Sequence, residues 1–325
     1  MSRINAAIFI LTQNTTERKV YLKTCLYFLF RNFNKNYNYP VILLHEGDYD
    51  KTAQEEIIKS IRENQRHLVS FKEIDKEDFQ IPSHIDKDKV RSLIALQPVP
   101  YWRNLKYRLM CYFWVKRFFK YTEDYDYVMR LDDDSIIEEP IKDDIFDIAV
   151  NKDLVYISNI VHIDCGLCNY GMKELFETIF PQSKEQINNG LFIQAKLTSG
   201  NGYYDRFKKV QSIMNSKECT DTEFVTEMPL MYYNNFFVTS TKFWKRNDVC
   251  DAIDKIDKHG GIFYYRYGDA PIHTILVTLL EPQKITRMQF KYSKRLQREA
   301  FKDEDDNIHS YMPKSYDKSS CITDK

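Results

Sequence analysis

Apolar residues in the first third of the chain come in short blocks separated by stretches of helical periodicity. Ala6 to Leu11 is an apolar block closed by a polar run from Thr12 to Thr16, the pattern of a buried strand. Leu22, Leu26, Leu29 and Phe33 then fall on one face of a helix, with Asn14 and Glu17 at capping-box spacing ahead of it. Pro40 precedes a second apolar block, Val41 to Leu44. A helix through Ile57, Ile58 and Ile61 leads to a third strand near Leu68 to Ile74. This β-α-β-α-β order predicts a mixed, mostly parallel sheet flanked by helices, an α/β fold.

Further on, a loop around Pro82, Pro98 and Pro100 gives way to an aromatic-rich helix from Leu105 to Phe119. Tyr127 to Leu131 reads as a strand running straight into Asp132, Asp133 and Asp134, and Asp153 to Ser158 as another. Residues 188–216 are polar with no clear period, and read as irregular. Gly260 to Gly268 reads as a loop, followed by a helix opening at Pro271 as its first-turn proline. Past Lys284 the chain becomes strongly charged, with a frayed end expected.

Composition narrows the function classes. Basic and acidic residues balance at 47 each, so no cationic face for nucleic acid is implied. No run approaches the ~20 apolar residues of a membrane helix, and the amino terminus lacks a signal-peptide pattern. A soluble chain is expected, cytoplasmic or of unknown compartment, unless an anchor has been removed. Seven cysteines, an odd number in a long chain, define no disulfide framework. Cys165 and Cys168 form a single CxxC, read as structural.

Two segments carry chemistry. Asp132-Asp133-Asp134 follows an apolar strand, at the sheet edge where open α/β folds bind ligands. In an extended segment Asp132 and Asp134 project the same way, so the pair either shares a hard divalent cation or forms a solvated acidic turn. The second segment is Gly260-Gly261-Ile262-Phe263-Tyr264-Tyr265-Arg266-Tyr267-Gly268-Asp269-Ala270-Pro271-Ile272-His273. Its aromatics suit the floor of a sugar pocket, and Asp269 suits sugar hydroxyls, a helix N-cap, or both.

That second string resembles the signature of glycosyltransferase family 15, the fungal glycolipid α-1,2-mannosyltransferases. Tyr107 to Cys111, Tyr127 to Asp134 and Met231 to Phe236 resemble three further family segments in the same order. The resemblance implies a GT-A-type fold, manganese or magnesium as cofactor, GDP-mannose as donor, a glycan acceptor and retention of anomeric configuration. It places Tyr107 and Asp269 at the reaction centre, and Asp132 and Asp134 at the metal. Asn14, Arg108, Arg130, Asp132 and Tyr264 make up the expected donor contacts. Arg108 and Arg130 are phosphate or carboxylate partners, or structural ion pairs.

Three positions depart from the family pattern. Phe237 stands where the family's proposed nucleophilic Glu follows its Asn-Phe pair, and Tyr265 replaces a Glu within the signature. The family's late metal-binding His aligns without gaps on Ser293 and Lys294. With an insertion it falls on His309, taken as the expected third ligand. A phenylalanine forms no glycosyl ester, which leaves a front-face transfer. One catalytic domain is expected over 1–315, with a nucleotide-binding half to about 135, an acceptor half beyond it and a flexible tail at 316–325. Two other readings compete: a GT-A enzyme with another nucleotide-sugar, and a catalytically silent relative that binds donor or glycan.

Overall fold

A computed structural model describes residues 4–198, 200, 202–294, 301–302 and 308–309, the last four as backbone. The side chain of His309 and the segment 316–325 lie outside the described residues.

The amino-terminal half follows the expected order. Strand β1 (Ala6–Leu11) enters helix α1 (Thr16–Leu29); β2 (Val41–His45) is followed by α2 (Lys51–Lys59) and β3 (Val69–Glu73). Helices α3 (Lys87–Leu96) and α4 (Leu105–Tyr112) precede β4 (Tyr127–Leu131). The β1, β2, β3 and β4 strands pair in parallel. Ala7 and Phe9 enter one apolar layer, while Ile8 and Ile10 enter the other. Burial on both faces explains why these strands read as continuous apolar runs without alternation. Helix α1 is capped by Thr15, whose hydroxyl accepts from the Arg18 amide. Asn14, expected in that role, instead bonds through its backbone and side chain to Asp48.

After β5 (Ser135–Ile137) the chain forms β6 (Tyr156–Ser158), β7 (Val161–Ile163), β8 (Phe192–Thr198), β9 (Glu223–Tyr232) and β10 (Phe236–Ser240), then β11 (Ile285–Arg287) and β12 (Tyr292–Lys294). The main sheet has the order β11-β6-β10-β4-β1-β2-β3. Strand β10 runs antiparallel between β4 and β6, so Arg130 lies between Phe9 on one side and Phe237 on the other. Strands β7, β9 and β8 form a separate antiparallel sheet, and β12 pairs with β5. The polar stretch 188–216, read as irregular, holds β8 and the helix Gly202–Asn215. Half-exposed packing at a sheet margin weakens the apolar period that would have marked them.

The Gly260–Gly268 segment also differs from expectation. A helical turn spans Gly261–Tyr264, and the next helix spans Asp269–Leu280, opening two residues before Pro271. Gly261 is required for close approach: a Cβ there would collide with the ring of Tyr267.

Candidate active site

Strand β4 ends at the edge where β1 also ends, and the acidic trio turns away from it. The Asp132 amide donates to the Asn235 carbonyl (2.9 Å), while the Ser135 amide donates to the Asp132 carbonyl (3.0 Å). The trio is therefore a tight turn rather than an extended segment. The turn still brings Asp132 and Asp134 to one cation, the ammonium of Lys294, at 3.2 and 3.1 Å. Asp133 points the other way and is buried. Its Oδ2 accepts from Thr12 Oγ1 (3.0 Å) and Arg18 Nε (2.9 Å), and Arg18 also faces Asp134 at 3.5 Å.

Arg130 links this turn to the glycine-flanked string. Fully buried in the middle of the sheet, it lies over the Trp114 ring with its guanidinium carbon 4.0 Å from the centroid. Nε donates to Asp132 Oδ1 at 3.0 Å, with Nη2 in ion-pair contact with the same oxygen at 3.0 Å, and Nη1 donates to Asp269 Oδ2 at 2.5 Å. Asn234 Nδ2 donates to the same Asp269 oxygen at 2.7 Å. Asp269 is thus not a helix N-cap, since its carboxylate is directed into the sheet. Burial, the largest single effect, would raise its pKa, but the Arg130 guanidinium, His273 and the Asn234 hydrogen bond together outweigh it and hold the carboxyl below its usual range. Burial also keeps the neighbouring His273 neutral, with its pKa lowered to about 4. Phe237, at the position the resemblance gives to a nucleophile, is buried and stacks on Tyr156 with centroids 5.2 Å apart.

A second network adjoins the first. Arg266 donates to both oxygens of Asp164, at 2.9 and 3.0 Å, and its Nη1 lies 3.5 Å from the Tyr107 hydroxyl. Asn169 bonds Asp164 through Nδ2 (2.9 Å) and faces the Gly268 amide through Oδ1, joining this network to the residue before Asp269. Arg266 holds φ at 108°, a region non-glycine residues avoid, so the ion pair and surrounding backbone must fix it. Burial raises the Tyr107 pKa well above its ordinary value, which keeps the phenol protonated.

Of the expected residues, Arg130, Asp132, Asp134 and Asp269 meet in one network, with Tyr107 beside it. Three others are engaged elsewhere. Arg108 is fully buried, donating to the carbonyls of Phe263 (2.5 Å) and Trp102 (3.0 Å), and so is a core residue rather than a phosphate contact. The Tyr264 hydroxyl accepts from the Asp86 amide at the start of α3, at 3.0 Å. Asn14 is held by Asp48. Arg18, Asp164, Asn234, Arg266 and Lys294 were not singled out as site residues from sequence. Arg266 and Asn234 stand inside the motif strings, whereas Asp164 carries no sequence signal at all.

The family model described as glycolipid 2-alpha-mannosyltransferase matches residues 1–298. The chain belongs to this family. Glycolipid 2-alpha-mannosyltransferase 1 of Candida albicans is 26% identical over 260 residues, covering 78% of this chain and 53% of that protein. The chain thus spans about half the length of that relative. The O-glycoside alpha-1,2-mannosyltransferase homolog 5 of Schizosaccharomyces pombe is 24% identical, with 90% of this chain and 69% of the relative covered. Among solved structures, core-mannan synthase A of Aspergillus fumigatus in its Mn/GDP form superposes with a TM-score of 0.69 at 20% identity, covering 90% of this chain and 75% of that one. The Saccharomyces cerevisiae mannosyltransferase Ktr4p in complex with GDP gives 0.68 at 18% identity, over 90% and 71%. The chain therefore shares the GT-A-type α/β fold of these enzymes.

Proposed function

We propose that this chain transfers mannose from GDP-mannose to a glycan hydroxyl with retention of configuration, as an α-1,2-mannosyltransferase. The observation that carries the reading is the Asp132–Arg130–Asp269 chain. It couples the acidic turn at the end of β4 to the Gly260–His273 string through a single buried guanidinium.

The donor's diphosphate lies at the β4 edge and its mannose toward Asp269. Asp269, ionised and oriented by Arg130 and Asn234, accepts hydrogen bonds from sugar or acceptor hydroxyls. Tyr107 stays protonated beside Arg266, a neutral donor next to a cation and suited to the leaving phosphate. Phe237 provides no carboxylate, so transfer occurs on one face. The bond from anomeric carbon to β-phosphate oxygen breaks as the acceptor oxygen bonds that carbon. The acceptor proton passes to the departing phosphate, and GDP leaves.

Manganese or magnesium requires hard oxygen donors, and Asp132 and Asp134 are of that type. Their oxygens, however, already face Lys294, Arg130 and Arg18. Among the described residues no group of three or more His, Cys, Asp or Glu converges where a metal ion could be held. Asp132 and Asp134 are the described residues that would hold such an ion, which when bound would offset charge on the departing diphosphate, while the side chain of the expected third ligand, His309, lies outside the described residues.

A binding-only relative is the second reading, favoured by the apolar seat of Phe237. The experiment that separates them follows GDP release from GDP-mannose with an α-mannoside acceptor. Transfer predicts sustained turnover, cut ~100-fold or more by Asp269→Asn while GDP affinity holds within about threefold. Donor binding without turnover supports the second reading.

A further inference from the structure

The Cys165 and Cys168 pair, read from sequence as structural, lies on the loop that also carries Asp164. That loop enters a single 3-10 turn, Leu167–Asn169. The Cys168 amide donates to the Cys165 carbonyl at 3.1 Å, which closes a turn over the four residues. Such a turn holds its end Cα atoms within about 7 Å, and a disulfide spans about 4.4–6.8 Å, so the bond can close with the turn in place. The two side chains already meet, because the Cys168 thiol is hydrogen-bonded to the Cys165 sulfur. Their exposures differ. Cys168 is fully buried in the apolar core, whereas Cys165 is partly exposed at its margin. The loop is held from several sides. The Cys165 amide donates to Asp164 Oδ1 (2.8 Å), Asn169 Nδ2 donates to the Cys165 carbonyl (2.9 Å), and a Cβ at Gly166 would press on Thr226.

We propose that Cys165 and Cys168 form a thiol–disulfide exchange site for low-molecular-weight disulfides, with Cys165 the attacking sulfur and Cys168 the resolving one. The hydrogen bond from the Cys168 thiol, joined by the Cys168 amide and the Arg266 guanidinium, outweighs burial and lowers the Cys165 pKa to about 7. Burial pushes the Cys168 thiol well up, so the proton of the pair stays there. The Cys165 thiolate attacks one sulfur of the small disulfide, whose S–S bond breaks and releases one thiolate. The Cys168 thiol gives its proton to that thiolate, and its sulfur then displaces the second one from Cys165. The second thiolate takes up the proton that Cys165 had released to water. Two protein thiols are thereby oxidised to one disulfide, and one small disulfide is reduced to two thiols. Cys25 and Cys111 are fully buried, and burial raises both thiols, which leaves them inert. The exchange site adjoins the network described above, since Asp164 bonds both the Cys165 amide and Arg266. It does not depend on the transfer reading.

The test exposes the whole reduced chain to oxidised glutathione, blocks the remaining thiols with N-ethylmaleimide and weighs the tryptic peptide 153–173, which holds Cys165 and Cys168 and no other cysteine. The proposal predicts a peptide lighter by two hydrogen atoms than the dithiol form, and its return to the dithiol in dithiothreitol. Between pH 8 and 9 the rate should rise less than ~1.5-fold, where a thiol of ordinary pKa would rise about threefold. Cys168→Ser should stop with glutathione bonded to Cys165. Cys165→Ser should take up glutathione on this peptide at least ~10-fold more slowly than wild type does. The proposal is overturned if the wild-type peptide keeps both thiols while the exposed Cys250 takes up glutathione. A threefold rise in rate between pH 8 and 9, or equal rates in wild type and a folded Cys165→Ser, overturns it as well. So does a bond present on isolation that dithiothreitol fails to open, which would make the pair a structural disulfide. The wild-type mass and pH profile decide the matter even where a variant fails to fold.

Discussion

Arg130 is the residue on which the site turns. Its guanidinium is fully buried, lies over Trp114, and is the common partner of Asp132 and Asp269. Removing the cation would leave a buried aspartate without its counter-charge, so Arg130→Met should lower stability by about 3–5 kcal/mol in urea unfolding. His273 makes the pH dependence testable. Burial among Phe119, Trp244 and Phe237 holds its pKa down to about 4, against an ordinary value of 6.5. Because the folded pKa is depressed, the unfolded chain takes up the proton first as pH falls. Stability is therefore full above about pH 6.5 and declines between there and pH 4, by up to about 3 kcal/mol. His273→Phe should flatten that part of the curve, measured as urea midpoints at pH 7, 6 and 5. A slope unchanged in the variant would assign the loss to other groups.

At the scale of elements, the strands and helices built around a continuous apolar face were legible, and those defined by long-range pairing were not. Ala6–Leu11, Val41–His45 and Tyr127–Leu131 are buried on both faces, so their apolar runs mark them without context. Strand β10 completes the sheet between β4 and β6, yet Phe236 to Ser240 carries no turn signal to announce an antiparallel insertion. Within the site, Asp132, Arg130 and Asp269 were legible because each stands in a dense local motif. Two cations that pair with the acidic turn, Arg18 with Asp133 and Lys294 with Asp132, come from the first helix and a late edge strand, more than 100 and 150 residues away in sequence. Asp269 also shows how local rules mislead: it stands two residues before Pro271 as a cap would, yet it is the first residue of the helix and its carboxylate is bound by Arg130. The Gly260–His273 string is rigid for a local reason, the ring of Tyr267 packed on Gly261. Gly261→Ala should force that ring aside and destabilise the chain by roughly 1–3 kcal/mol. Because Arg266 and Asp269 flank Tyr267, it should also lower turnover more than nucleotide affinity.

Across the whole molecule, the sheet, the β5–β12 pair and the helix Asp269–Leu280 bring one charged cluster to the carboxyl end of β4. A ligand that binds there stabilises the folded chain by mass action, by about 2.7 kcal/mol at a hundredfold excess over its Kd. GDP-mannose should therefore raise the melting temperature, and UDP-sugars at equal concentration should not. A reversed preference would replace mannose by another sugar while leaving the site intact. Transfer itself is tested most directly by the product. GDP-mannose labelled with carbon-13 at the anomeric position is incubated with methyl α-mannoside, and the new linkage is read by nuclear magnetic resonance. The account predicts a single α-linked mannosyl product that Asp269→Asn fails to make. A β-linked product, or α-linked product formed equally well by the variant, would contradict it.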